Sequence, residues 1–448
     1  MSAISMFERG TTRANLLRTG GALVLVAGFA FAGAPSANAV VTAVKTAYAS
    51  PAGTGGACSK VQPCSVTTAV TTATPNTRIL LSAGTYDAQL TITTSDLTIQ
   101  GKGAVVIQPT AVSANATKTD GVTPVEAIVA VAPGTTGVTI ANVTIDGSQA
   151  GFPACSGTSF SGVEFHDASG SLSHVTVQHT QPADGITGCQ VGDAIYIGSG
   201  EAVANVSMTN VTVSSYNKNG ITCKGPGTTC TISSATVTGT PTAAIAQNGI
   251  QFSLDAGGSI NKATVSHDTN LSACGCASGI LIYQANSDVA VTNSKVTSSD
   301  NNIYVYESTG FNISTTSSTK STLSDGLTLD NVDGAVVNGG TFSANAGNGI
   351  GSYGGTNSVI TGTTTSKNVA SGIYLDGSDG DATGNSVSSN VVKSNHGPGI
   401  WANTGADSNA FQSNTMRHNS PDAQDNGAGN SWSGNDCITS SPNTGLCS

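Results

Sequence analysis

The sequence predicts an all-β fold: one single-stranded, right-handed parallel β-helix in which successive coils of the chain stack as parallel sheets. Three observations carry this. First, the chain has 55 Gly in 448 residues, only 9% charged residues, and Thr, Ser, Asn and Val throughout. Gly and β-branched residues are poor helix formers. Second, a small or polar residue, then usually Gly, then an aliphatic recurs ten times. Third, the recurrences are too close together to leave room for a crossover helix.

The first 39 residues read as an export leader. Arg9, Arg13 and Arg18 precede an apolar run, Gly21–Ala34, and Ala37-Asn38-Ala39 fits a small-x-small cleavage site, so the mature chain is expected to begin at Val40. The apolar run is too short to span a membrane, and no later stretch is long enough. Without the leader's three Arg and one Glu, 13 Lys+Arg face 25 Asp+Glu, a balance of −12. That weakens any nucleic-acid reading, which needs a basic stripe, so no nucleic-acid partner is expected. It also disfavours a polyanionic substrate unless a cation bridges the two. Secretion and a monomeric state are expected.

Residues 40–448 read as one domain. Its repeat is anchored at Ser161-Gly162-Val163, Asp193-Ala194-Ile195, Asn219-Gly220-Ile221, Asn248-Gly249-Ile250 and Ser278-Gly279-Ile280. It continues at Asn301-Asn302-Ile303, Asp325-Gly326-Leu327, Asn348-Gly349-Ile350, Ser371-Gly372-Ile373 and Pro398-Gly399-Ile400. Nine intervals cover the 237 residues from Val163 to Ile400, a mean of about 26. Thr/Val alternations between the anchors, such as His174-Val175-Thr176-Val177, give each coil two or three short strands parted by Gly, Asn and Asp turns. Leucine-rich repeats would need a leucine ladder, and a propeller would need longer antiparallel blades. Asn142, Asn205 and Asn210 open Asn-x-Ser/Thr triplets. They are read as rungs of an amide ladder along the stack before they are read as glycosylation sites.

An open stack needs covered ends. Residues 40–76 are expected to form the first cap, with Val66–Ala73 the one stretch suited to a short amphipathic helix. Residues 77–420 form the coils and 421–448 a second cap. All ten Cys lie in the mature chain, and an even number in an exported protein reads as disulfides. Cys58/Cys64 and Cys437/Cys447 are placed to staple the caps and Cys223/Cys230 to close a local loop. Cys155, Cys189, Cys274 and Cys276 cannot be paired from spacing.

The opening Ser50-Pro51-Ala52-Gly53, Cys58, Pro63-Cys64, then Arg78-Ile79-Leu80-Leu81 and Gly84-Thr85-Tyr86 resembles the approach to the first coil in the pectate-lyase-like superfamily of right-handed parallel β-helix proteins. The likeness covers almost the whole mature chain. It implies the fold and leaves the activity open, because that superfamily includes lyases, hydrolases, esterases, epimerases and non-catalytic adhesins.

If the anchor aliphatic points inward, the next residue and the one two further on point out. Those positions collect seven of the chain's eleven Tyr and Trp: Tyr196, Tyr283, Tyr304, Tyr306, Tyr353, Tyr374 and Trp401. Rings with polar tips among carboxylates and amides suit a sugar chain, covering its apolar faces while polar groups take its hydroxyls. The alternative is a stack that stiffens the sheet. Asp330 and Asp376 fall two coils apart, roughly 9–10 Å, near the upper end for an inverting glycosidase pair. With Glu307 and Lys224, the one basic residue of the stripe, they are the candidate catalytic groups. Asp376, Asp379 and Asp381 crowd one turn and could hold Ca²⁺; no cofactor is otherwise required. There is no Asp-Asp pair, Gly-His-Gly or Asp-Pro-His-Asp, and the only mature arginines, Arg78 and Arg417, lie towards the ends, which disfavours the familiar active sites of the superfamily. The expectation is a secreted carbohydrate-active β-helix that binds, and as a hydrolase or lyase would cleave, an extended polysaccharide. The alternative is a non-catalytic surface or adhesin-type protein.

Overall fold

The computed structural model describes residues 44–448 apart from Glu201, Ala273, Ser287, Asp379, Asn443 and Thr444. The expected leader lies outside them. The chain is a right-handed parallel β-helix, each coil running through three sheets. Sheet I holds Ser159–His166, Asp193–Gly198, Asn219–Lys224, Asn248–Ser253 and their successors to Ile400–Ala402 and beyond. Sheets II and III begin, in later coils, at strands such as Thr228–Ser233 and Thr236–Thr238. They are joined in the early coils by long strands, among them Val138–Asp146 and Gly170–Thr180, that bend through both. Right-handed crossovers are what twisted strands feeding a parallel sheet favour. None of the helices among the described residues is long and apolar enough to cross a membrane.

The ten anchors define the register. Val163 pairs through Ile195, Ile221, Ile250, Ile280, Ile303, Leu327, Ile350 and Ile373 to Ile400, one per rung of sheet I. All ten are fully buried, forming an aliphatic column at the strand spacing of about 4.8 Å. Gly precedes most of them because the coil is narrow there. A Cβ on Gly372 would meet Val392 Cγ1 at 2.4 Å and the Gly399 carbonyl at 2.6 Å.

Corners are turned by single residues in the left-handed region, repeated coil after coil. Asn142, His174, Asn210, Ser234, Lys262 and Asn293 mark the bend between sheets II and III, with φ between 50° and 56°. Asn142 and Asn210 are therefore exposed corner residues, and Asn205 is an exposed strand residue. None is a ladder rung. The amide side chain tolerates the left-handed conformation, which accounts for Asn at three of these bends. The ladder forms elsewhere, from amides inside the turns, buried except at the half-buried Asn419. Asn345, Asn368, Asn395 and Asn419 pass side-chain hydrogen bonds from rung to rung at 2.9–3.0 Å, and Asn390, Asn414 and Asn435 do so at 3.0 Å.

Five disulfides join Cys58–Cys64, Cys155–Cys189, Cys223–Cys230, Cys274–Cys276 and Cys437–Cys447. The short helix Val66–Thr71 is present, capped by the Ser65 hydroxyl, and buries Val66, Ala69 and Val70 over the first coil. At the other end, Trp432 stacks on Phe411 with ring centroids 4.1 Å apart.

Candidate functional site

The outer surface of sheet I carries two columns of side chains. One runs from Glu164 and Tyr196 through Thr222, Gln251, Leu281, Tyr304, Thr328, Gly351 and Tyr374 to Trp401. Its neighbour includes Lys224, Tyr283, Tyr306, Asp330, Tyr353 and Asp376. Period-two alternation places them there.

Six of the seven rings form two groups of partly exposed side chains. Tyr283 stacks on Tyr306 at 5.3 Å, and Tyr304 leans on Tyr306 at 6.2 Å. Tyr374 packs between Tyr353 at 5.7 Å and Trp401 at 4.9 Å. The Thr328/Asp330 rung separates the groups.

Hydrogen bonds tie the ring tips to carboxylates and amides of the same face. Tyr304 donates to Asp330 Oδ2 at 2.7 Å and Tyr306 to Glu307 Oε1 at 2.8 Å. Tyr353 donates to Asp325 Oδ2 at 2.8 Å, and Trp401 Nε1 donates to Asn426 Oδ1 at 2.9 Å. Asn403 donates to the Tyr374 hydroxyl at 2.8 Å and to Asp376 at 3.1 Å. Burial and the carboxylate beside each hydroxyl raise these phenols, Tyr306 to about 12 and Tyr304, Tyr353 and Tyr374 further still. The rings are thus locked as neutral donors before any ligand arrives. Asp330 and Asp376 share one column two rungs apart with Tyr353 between them.

Tyr196 stands apart. The segment 108–123 folds back over this end of sheet I, with Ala116–Thr117 pairing antiparallel to Pro124–Val131. Its Lys118 bonds Asp193 at 2.8 Å, lies 3.9 Å from Glu164, and sits 3.5 Å over the Tyr196 ring. Tyr196 is therefore 3% exposed and Glu164 fully buried. Burial pushes Glu164 up to about 7, against the opposing pull of Lys118. Lys118 is itself held charged, the neighbouring carboxylates outweighing its desolvation. Lys224 is half-buried near the rim of the same segment.

Lys118 escapes sequence reasoning because 75 residues separate it from Asp193. Asp325 was visible only as an anchor residue, yet burial raises its carboxyl to about 6. Of the three turn carboxylates suggested for Ca²⁺, Asp379 lies outside the described residues. Asp376 accepts from the Ser378 backbone and hydroxyl, both at 3.0 Å, and Asp381 is exposed.

Residues 205–445 match the family model described as periplasmic copper-binding protein (NosD). Among solved structures, the periplasmic alginate epimerase AlgG superposes on 84% of this chain and 83% of its own, with 10% identity and a TM-score of 0.50. The GH136 lacto-N-biosidase from Eubacterium ramulus does so over 88% and 68%, with 12% identity and a TM-score of 0.49. At such identity the likeness to the epimerase speaks for the fold alone. No curated protein sequence matches the chain.

Copper asks for imidazole, thiolate or thioether ligands brought together. Here every described Cys is in a disulfide, and Met208 and Met416 are fully buried in the aliphatic core. Among the described residues no three His, Cys, Asp or Glu side chains converge on one point. The donor set does not fit copper.

Proposed function

The chain belongs to the periplasmic copper-binding protein (NosD) family, and from its β-helix and its ringed face we propose that it is an exported protein that holds an extended polysaccharide along sheet I. One observation carries the reading: six partly exposed rings in two packed groups, with carboxylates and amides of the same face as their partners. Ring faces cover the apolar sides of sugars, while the remaining lone pairs and N–H groups of those partners meet sugar hydroxyls. Rings already fixed lose little side-chain entropy on binding.

Five disulfides accord with an oxidising compartment, as do the family's description and the leader-like first 39 residues. In this reading Asp330, Asp376 and Glu307 act first as anchors of Tyr304, Asn403 and Tyr306. Cleavage would add proton transfer by the Asp330/Asp376 pair, about 9–10 Å apart from two rungs of spacing.

The test is binding of the mature protein to a panel of neutral and acidic polysaccharides, with Tyr374→Ala and Trp401→Ala as variants. Losing one such ring contact is worth on the order of 1 kcal/mol, so each variant should bind its ligand several-fold more weakly with unchanged circular dichroism. Wild-type affinity in both would make the rings a structural stack.

A further inference from the structure

Sheet III presents a surface chemically opposite to the ringed one. From Thr212 and Ser214 to Thr364 and Ser366, seven rungs in continuous parallel register offer two outward positions each. All of these are Ser or Thr except Lys295. On the following rungs Lys393 and Arg417 are register partners. At the corner that closes the sheet, Lys320 and Lys367 occupy left-handed positions two rungs apart, a separation of about 9–10 Å.

Carboxylates are missing from this side. Among the described residues none occupies an outward or corner position of sheet III between Thr212 and Arg417. Asp268 and Asp300 lie in the adjoining turns but are 0% and 2% exposed. Asp436, one rung beyond, is taken by Arg417. Lys320, Lys367 and Lys393 are exposed, and no described carboxylate pairs with them. A chain with a large excess of acid has thus gathered exposed cations on one side, while Glu307, Asp330 and Asp376 sit on the other.

We propose that sheet III is a second binding face, for an extended polyanionic glycan lying along the stack. Its carboxylate or phosphate groups rest on Lys320, Lys367 and Lys393 and its hydroxyls on the Ser/Thr columns. Each Ser or Thr hydroxyl both donates and accepts, which matches sugar hydroxyls without demanding one linkage. A single exposed ion pair contributes little, so several must act together, and salt weakens them all. The face is independent of the rings: carboxylates beside Tyr304 and Tyr306 repel the chain that the lysines attract.

The experiment is affinity electrophoresis of the mature protein through gels containing polygalacturonate, poly(glycerol phosphate) or neutral dextran. The wild type should be retarded by at least one polyanion, and which one names the anion. Dextran should not retard it through this face. In the triple variant Lys320→Gln/Lys367→Gln/Lys393→Gln the polyanion affinity should fall about ten-fold, and about 0.5 M NaCl should abolish it in the wild type. The Tyr374→Ala/Trp401→Ala variant should keep it. Absence of retardation of the wild type by both polyanions at low salt overturns the proposal. So does wild-type retardation of the triple variant, or loss of retardation in the ring variant.

Discussion

The hydroxyl of Tyr353 donates to Asp325 Oδ2 at 2.8 Å, and it reaches that oxygen by crossing the bare Cα of Gly351. A Cβ on Gly351 would stand 2.1 Å from the oxygen and 2.7 Å from the Tyr353 ring. One rung without a side chain thus lets a ring of one column hold a buried carboxyl of another.

Gly351→Ala should therefore destabilise the protein by about 1–3 kcal/mol through overpacking, although Ala is ordinarily the better residue in a strand. Urea unfolding of the mature protein measures this, and an unshifted midpoint would refute the contact.

Stability should fall as pH rises from about 4 to 7. Burial raises Asp325 to about 6 and Glu164 to about 7, above an unfolded carboxyl near 4. The folded state then binds the extra protons, so their contribution is complete below about pH 4 and is lost as pH passes the folded values. Melting temperatures between pH 4.5 and 8 should decline, and Asp325→Asn should flatten the acidic part of that decline. A level wild-type profile would contradict both assignments.

Asn368→Ala should cost about 2–4 kcal/mol. Asn368 accepts from the Asn345 backbone and side chain and donates to Asn395 Oδ1 and the Phe342 carbonyl, all of them buried. Removing it orphans several polar groups at once. Denaturant unfolding would show this, whereas a loss of under about 0.5 kcal/mol would place it with ordinary surface changes.

Thiol titration of the denatured, unreduced mature protein should find no free thiols, and reduction should release ten. Free thiols in most molecules would undo both the five pairings and the expectation of export.

Asp330→Asn and Asp376→Asn separate holding a glycan from cutting it. The amide oxygen still accepts from Tyr304 or Asn403, so the rings stay in place and binding should persist. If the pair also moves protons, reducing-end release falls by 10²-fold or more. Binding that collapses in both variants with the fold intact would mean that the carboxylates touch the ligand directly.

The coils were readable from the chain because their signal is local. An aliphatic preceded usually by Gly every 23 to 32 residues marks the narrow inner wall, and each of the ten anchors lands on its own rung. Period-two alternation likewise told which rings share a face. Corners were harder to read. A left-handed bend accepts Asn, His, Ser or Lys alike when exposed, so Asn142 and Asn210 looked like ladder rungs. The true rungs, such as Asn368 and Asn395, sit just past the corner that ends a short strand, where the alternation has already stopped. Tyr196 obeys the alternation, yet it is buried because Lys118, far away in sequence, folds over it.

The constant pitch of the stack makes the ringed face a ruler. Tyr283 and Trp401 sit five rungs apart, about 24 Å at the usual strand spacing. Affinity for a homologous series of oligosaccharides should climb with chain length until the sugar spans that distance, and then level off. Each coil gained or lost between those rings would move the plateau by one strand spacing, so copy number alone would set the length of glycan preferred.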